Sequence, residues 1–129
     1  MVRQSTLHRR RTLFDDALSS ISRNFADENL SLAAVAHSIA TSRRQLQRVF
    51  AEQGTSFRRE LQRVRMAHAA DLLRREALPV AAVARAVGYR QAAQFSKAFR
   101  RHHGMAPSAY RSQQRFHASQ RAAIASRAA

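Results

Sequence analysis

The chain of 129 residues is long enough for one compact domain, or for two very small ones that share a helix. Its formal net charge is +15 and Lys97 is its one lysine, so the surplus is almost all arginine and points to nucleic acid or, as a poorer fit, to an anionic membrane surface. The lack of cysteine excludes disulfides, thiolate metal sites and cysteine nucleophiles. The lack of any apolar run of about 18 residues predicts a cytoplasmic protein with neither a membrane span nor an ordinary signal peptide.

The first part of the chain divides into a polar segment and an amphipathic one. Residues 1–11 are basic and show no apolar period, which predicts a mobile arm, either solvated or in contact with DNA. From residue 12 the apolar side chains recur at helical spacing, and they are Leu13, Phe14, Ala17, Leu18, Ile21 and Phe25. This spacing predicts a helix that braces the segment after it.

Two short helices with a tight turn are predicted before residue 56. Ser31 is suited to cap the helix Leu32–Ile39, and Ser42 is suited to cap the helix that follows the turn Ala40–Thr41. This arrangement predicts a helix-turn-helix, whose second helix commonly enters the DNA major groove.

The second of these helices is predicted to have two chemically different faces. At about 100° per residue, Leu46, Val49 and Phe50 share one face, which we expect to be buried. The opposite face carries Arg44, Gln47, Arg48 and Ala51. Arginine and glutamine make paired hydrogen bonds to guanine and adenine edges, although such a charge run also suits a purely solvated face.

A longer helix is predicted over residues 57–74. Gly54 can end the preceding helix in a left-handed conformation, and Ser56 can cap the new one. About 17 residues give roughly 25 Å, which suits a strut that holds two recognition helices about one DNA turn apart. Four of its arginines are expected to serve solubility or phosphate contact, namely Arg58, Arg59, Arg63 and Arg65.

Residues 75–111 contain a second motif of the same kind. After the loop Glu76–Pro79, an apolar helix breaks at Gly88–Tyr89, and another helix ends near His103–Gly104. Its predicted inward face consists of Phe95, Ala98 and Phe99, and its outward face of Ala93, Ser96, Lys97 and Arg100. Pro107 is predicted to begin a short last helix, and the basic tail of residues 112–129 is expected to be disordered or a frayed helix.

The adjacent residues His102 and His103 do not predict a metal site. Neighbouring side chains on a helix point about 100° apart, and no third ligand stands at a suitable local spacing. Histidines at the end of a helix are expected to interact with the helix dipole or with phosphate.

The two motifs are copies of one pattern. LAAVAHSI at Leu32–Ile39 returns 48 residues later as VAAVARAV. With one residue of slippage in the turn, SRRQLQRVF then aligns with QAAQFSKAF. Two copies are too few for a solenoid, which needs about three, so a tandem pair of groove-reading units is the better account.

The chain from about Leu13 to Arg111 resembles the two-motif DNA-binding domain of the AraC/XylS transcription regulators, and three segments within it carry the resemblance. They read LAAVAHSIATSRRQLQRVF, GTSFRRELQRVRMAHAADLL and PVAAVARAVGYRQAAQFSKAFRRHHGMAPSAYR. The G-Y, F-S-K-A-F-R, G-x-x-P and A-Y-R elements are the most specific. Gln91 replaces the usual Ser or Asp, so its helix is expected to lack a side-chain cap. Ala92 and Ala93 replace residues that are often polar, which predicts a looser second readout.

The combined prediction is an all-α chain of about seven helices, with helix-turn-helix subdomains over residues 12–56 and 75–111 joined by the linker helix over 57–74. The resemblance implies a sequence-specific transcription regulator of the short stand-alone, bacterial type, with two recognition helices in successive major grooves. The expected DNA-binding residues are Arg43, Arg44, Gln47, Arg48, Arg90, Gln91, Gln94, Lys97 and Arg100.

The expected partner is double-stranded DNA, bound by a monomer, with RNA polymerase as a further candidate. Neither enzyme activity nor a cofactor, a metal or a membrane is expected. The alternative is a basic helical interaction module that docks on RNA polymerase or another regulator without reading sequence.

Overall fold

The computed structural model describes residues 4–75 and 77–128, and this part of the chain forms seven α-helices and no strand. The helices are α1 (Gln4–Asn24), α2 (Leu32–Ser38), α3 (Arg43–Glu52), α4 (Phe57–Arg75), α5 (Val80–Ala86), α6 (Ala92–His103) and α7 (Pro107–Ala128). The predicted all-α fold is confirmed. Residues 1–3 of the predicted arm, Glu76 of the predicted loop and Ala129 of the predicted tail lie outside the described residues.

The chain divides into two compact units, Met1–Arg65 and Met66–Ala129, and the boundary falls within α4. The first unit is built on one apolar core to which α1, α2, α3 and the start of α4 contribute. Its buried members are Ala17, Ile21, Val35, Ala36, Leu46, Phe50 and Leu61. The rings of Phe14 and Phe57 pack edge-on against Phe50, with centroids 5.6 and 6.4 Å away. These contacts fix one face of α3 and leave the other face outside.

The second unit has an aromatic core centred on α6. Phe95 and Phe99 are fully buried, and their ring centroids are 5.8 Å apart. Tyr89 reaches Phe95 from the turn before α6, and Tyr110 reaches Phe99 from α7, with centroid distances of 5.6 and 5.4 Å. Aromatic contacts from both neighbouring segments therefore hold α6.

In each motif, a residue with a left-handed backbone conformation stands at the same position between the two helices. It is Ala40 with φ 57° in the first unit and Gly88 with φ 93° in the second. The next amide, that of Thr41 or Tyr89, donates to a carbonyl of the preceding helix at 2.9 Å in both units. Glycine adopts this conformation without steric cost, whereas alanine brings its Cβ too close to the following carbonyl oxygen.

Arg65 has a structural role that differs from the predicted one. Its side chain is buried, with only 9% of the residue exposed. Nε donates to the carbonyl of Phe25 and Nη2 donates to that of Asp27, both at 2.9 Å. The expectation that Arg65 serves solubility or phosphate contact is therefore wrong, because its guanidinium satisfies two backbone acceptors between α1 and α2.

Arg111 makes equivalent hydrogen bonds to backbone carbonyls in the second unit. Its Nε donates to the carbonyl of Leu73 at 3.4 Å, and its Nη2 donates to the carbonyl of Leu78. These acceptors lie near the end of α4 and in the loop before α5. In both units, an arginine that follows the second helix of the motif thus binds backbone carbonyls in the chain that leads into the motif.

The structure corrects the predicted mobile arm, because α1 begins at Gln4 and residues 4–11 are helical. The side chain of Arg10 forms an ion pair with Glu52 on α3, with 3.1 Å between Nη1 and Oε1. Adding residues to a helix that is already anchored costs far less than nucleating one, so an apolar period is not needed here.

The predicted tail is also helical, because α7 extends to Ala128. Alanine, arginine and glutamine are good helix formers, and propensity alone allows the helix to continue. Its last part is solvated, and the two large apolar side chains on it, Phe116 and Ile124, are 60% and 67% exposed. Among the described helices, none is long and apolar enough to span a membrane.

We expect Arg65→Ala to lower the free energy of unfolding of the first unit by about 1.5–3 kcal/mol, the typical value of hydrogen bonds that involve a charged group. Arg63→Ala is the matched control, because Arg63 is an exposed neighbour on α4 whose ion pair with Glu60 is worth at most about 1 kcal/mol. A urea titration that follows amide signals of α1–α3 measures both variants. Equal losses in the two would contradict the role assigned to Arg65.

We expect Ala40→Gly to stabilise the first unit by about 0.5–1 kcal/mol. Relief of left-handed strain is worth about 1–2 kcal/mol, and the entropy of glycine offsets about 0.5–1 kcal/mol of it. The reverse change, Gly88→Ala, is expected to destabilise the second unit. The same titration measures both, and a loss of stability in Ala40→Gly would contradict the explanation.

Candidate nucleic-acid interface

Side chains hold the start of α3 in place. The Ser42 hydroxyl accepts a hydrogen bond from the backbone N–H of Gln45 at 3.0 Å, which confirms the predicted cap. The hydroxyl of Thr41 donates to Oε1 of the same Gln45 at 2.9 Å. The turn and the first turn of α3 are therefore one hydrogen-bonded unit, and the direction in which α3 leaves the turn is well defined.

The two faces of α3 are as predicted. Leu46, Val49 and Phe50 are almost completely buried. Arg43, Arg44, Gln47 and Arg48 are all exposed. Within the described part of the chain, these four side chains make no hydrogen bond or ion pair, so their donors remain available to an outside partner. We call this exposed set, together with Ala51, the α3 stripe.

The faces of α6 are also as predicted, except that Ser96 on the outward face is only partly exposed. Phe95, Ala98 and Phe99 are buried, whereas Gln94, Lys97 and Arg100 are exposed. We call these three exposed residues, together with Ala92 and Ala93, the α6 stripe. The helix ends at Gly104, whose left-handed backbone has φ 81° and whose N–H donates to the carbonyl of Arg100 at 2.8 Å.

The beginning of α6 differs from that of α3. Gln91 occupies the cap position with φ −122°, and its side chain makes no capping hydrogen bond, as predicted. Arg90 and Gln91 are both exposed beside the first turn. The first N–H groups of a helix have no partner within the helix. In α6 the residue at the cap position supplies no side-chain acceptor for them.

His103 packs against the core of the second unit. Its Nε2 lies 3.2 Å from the carbonyl of Met66, and since that oxygen only accepts, the ring donates there. The ring also packs on Phe99 and Tyr110, with centroids 4.4 and 5.6 Å away. A carbonyl on α4 therefore occupies Nε2 of His103, and the expected interaction of this histidine with the helix dipole or with phosphate stays a prediction.

The predicted site residues form two sets with different chemistry. The first unit contains Arg43, Arg44, Gln47 and Arg48, and the second contains Arg90, Gln91, Gln94, Lys97 and Arg100. All nine are exposed. Ala92 and Ala93, also exposed, offer only methyl groups at the start of the α6 stripe, where α3 has two arginines. The α3 stripe is therefore richer than the α6 stripe in side chains that can make paired hydrogen bonds.

Two pockets lie along the edges of the α3 stripe. One, of about 290 Å³, is lined by Arg10, Ser42, Arg44, Gln45, Arg48 and Val49. The other, of about 350 Å³, is lined by Leu32, Gln47, Phe50, Ala51, Thr55, Ser56, Phe57 and Arg58. Arg10 is absent from the predicted site, because its position beside α3 depends on a helix that its local sequence does not indicate.

Comparison with known proteins relates most of the chain to regulators. A family model described as a helix-turn-helix domain matches residues 35–113. An uncharacterized HTH-type transcriptional regulator of Mycobacterium tuberculosis is 42% identical over 91 residues, which cover 69% of this chain and 26% of that protein. The chain thus matches about a quarter of the length of this curated relative.

Solved structures share the fold. The C-terminal domain of AraT, a response regulator from Geobacillus stearothermophilus, is 34% identical with a TM-score of 0.75, and the match covers 78% of this chain and 84% of that one. The DNA-binding domain of AdpA, a global transcriptional factor solved in complex with a target DNA, is 25% identical with a TM-score of 0.72. That match covers 81% of this chain and 98% of the AdpA domain.

Proposed function

Because this chain belongs to the AraC-type helix-turn-helix family, we propose that it is a sequence-specific DNA-binding transcription regulator. The recognition helices α3 and α6 enter successive major grooves of one duplex. The observation that supports this most is that each unit packs one face of its recognition helix on an aromatic core and exposes a polar, basic stripe on the other. The nine residues named above are the contacts we propose.

The charge of the chain favours DNA over other partners. A net charge of +15 on 129 residues supplies many cations for phosphate contact. The types of side chain on the α3 stripe also match base edges, because arginine pairs with guanine and glutamine with adenine. The relatives from Mycobacterium tuberculosis and Geobacillus stearothermophilus are bacterial, so we propose a cytoplasmic site of action, where a bacterial chromosome lies.

We propose that one copy of the chain binds one duplex, because each unit carries a recognition helix of its own. RNA polymerase is the protein partner we propose, since a regulator acts by changing how polymerase occupies a promoter. Selection of bound duplexes from a random pool tests DNA readout, and sedimentation of the complex tests its stoichiometry. If no sequence is enriched in the selected pool, the proposed sequence-specific binding is wrong. If binding strictly requires an inverted repeat occupied by two copies, the proposal that one copy binds one duplex is wrong.

The two half-sites are expected to be read unequally. Gln47→Ala or Arg48→Ala should cost about 1–3 kcal/mol on the preferred site and relax preference at one or two base pairs. Lys97→Ala should change base preference less. Lysine does not present the planar pair of donors that arginine has, and Ala92 and Ala93 on the same stripe offer only methyl groups. Titrations against the selected site and its single-base changes measure each variant.

Arg63→Ala is the control for these titrations, because Arg63 is exposed on α4 and outside both stripes. It is expected to weaken all sequences equally or to have no effect. If Lys97→Ala abolishes base preference while the two α3 variants retain it, the asymmetry is reversed. If none of the three changes preference, these helices do not read bases, and a docking module without sequence readout becomes the better account.

A further inference from the structure

The pocket of about 290 Å³ beside α3 has an unusual concentration of positive charge. Three arginines line it, Arg10 from α1 and Arg44 and Arg48 from α3. Among the described residues, one carboxylate forms an ion pair with this group, that of Glu52, whose Oε1 is 3.1 Å from Nη1 of Arg10. Three cations with one neighbouring carboxylate leave a surplus of positive charge, which is suited to an anion.

The position of the pocket relative to the α3 stripe indicates which anion it suits. On a helix of 3.6 residues per turn, Arg44 and Arg48 lie within the stripe, whereas Gln45 and Val49 lie about 100° from them on one side. All four line the pocket, so it follows this edge of the stripe. Gln47 and Ala51 line the second pocket, along the opposite edge.

A recognition helix in a major groove has a phosphate backbone on each side. The groove is about 12 Å wide, and a helix with its side chains is about 10–12 Å across, so the helix fills it. Side chains at the centre of the exposed stripe then meet base edges, and groups at its edges meet phosphates. This argument rests on the proposed function, because it requires α3 to lie in the groove.

We propose that this pocket binds one phosphodiester of the DNA backbone and that Arg10 is a DNA contact supplied by α1. The family match covers residues 35–113, so Arg10 lies outside the segment that defines the family relationship. A guanidinium has five N–H donors, and the ion pair to Glu52 uses only part of this set. The side chain of Arg10 is 28% exposed, so it is already held in place while part of it still faces solvent.

The proposal predicts a sequence-independent loss of affinity in Arg10→Gln. The log–log dependence of affinity on salt should become shallower by about 0.9, the value for one neutralised phosphate. If the wild-type protein and Arg10→Gln bind DNA equally at 1 M salt, this difference in slope corresponds to a loss of affinity of about five-fold at 0.15 M salt. The loss should be the same on the selected site and on its single-base variants, because a phosphate contact carries no base information.

Two further variants separate a phosphate contact from its alternatives. Arg23→Gln removes an exposed arginine near the other end of α1, and it should change neither the affinity nor the salt slope. Glu52→Gln removes the same ion pair but keeps Arg10, and it should leave affinity unchanged or raise it. If Glu52→Gln reproduces the loss, the ion pair matters only for folding, and the proposal is wrong. A changed base preference in Arg10→Gln would also overturn it.

Single methylphosphonate substitutions in the DNA identify the phosphate. At one position, the neutral group should weaken the wild-type protein at least about five-fold and should cause a smaller loss in Arg10→Gln, because that variant has already lost one of the three arginines around the phosphate. Independent losses at every position would overturn the contact. If Arg10→Gln alters only the response to inorganic phosphate and not DNA affinity in chloride, the pocket is a free-anion site instead. A wild-type chain without sequence preference refutes the proposed function, whereas an unchanged salt slope in Arg10→Gln refutes only this contact.

Discussion

Each helix-turn-helix in this chain depends on one arginine that satisfies backbone carbonyls ahead of it. The helices α2 and α5 have seven residues each, far too few to be stable alone. Arg65 binds two carbonyls between α1 and α2, and Arg111 binds one carbonyl near the end of α4 and one in the loop before α5. Irregular backbone can be packed against a core only if its polar groups find partners, and the guanidinium supplies several donors from one side chain.

On this common frame the two units present different chemistry. The first has a capped recognition helix with arginine and glutamine on its stripe, whereas the second begins without a side-chain cap and has alanines where it starts. The aromatic cores are made from both flanking segments in each unit, so a change on either stripe leaves the packing intact. This separation allows the proposed DNA-binding stripes to vary without a change of fold.

The features that the sequence predicted are those that local patterns determine. The buried and exposed faces of α3 and α6 follow from helical period, and the caps at Ser31 and Ser42 follow from a hydroxyl placed before each helix. The roles of Arg65 and His103 depend on carbonyls 40 and 37 residues away, which no local pattern identifies. The exposure of the nine site residues is established, but their contacts with DNA depend on a partner that the chain alone does not contain.

The solvated end of α7 has a consequence for how the protein responds to heat. Its residues from about Arg115 to Ala128 are exposed, so helix propensity rather than a packed face maintains them. Such a segment follows a gradual helix–coil equilibrium, whereas the cores around Phe50 and Phe99 unfold cooperatively. Total helicity will therefore decline with temperature well before either core opens. A melting temperature taken from helicity alone would mix the two processes, and only a probe within the cores would report the stability of the folded units.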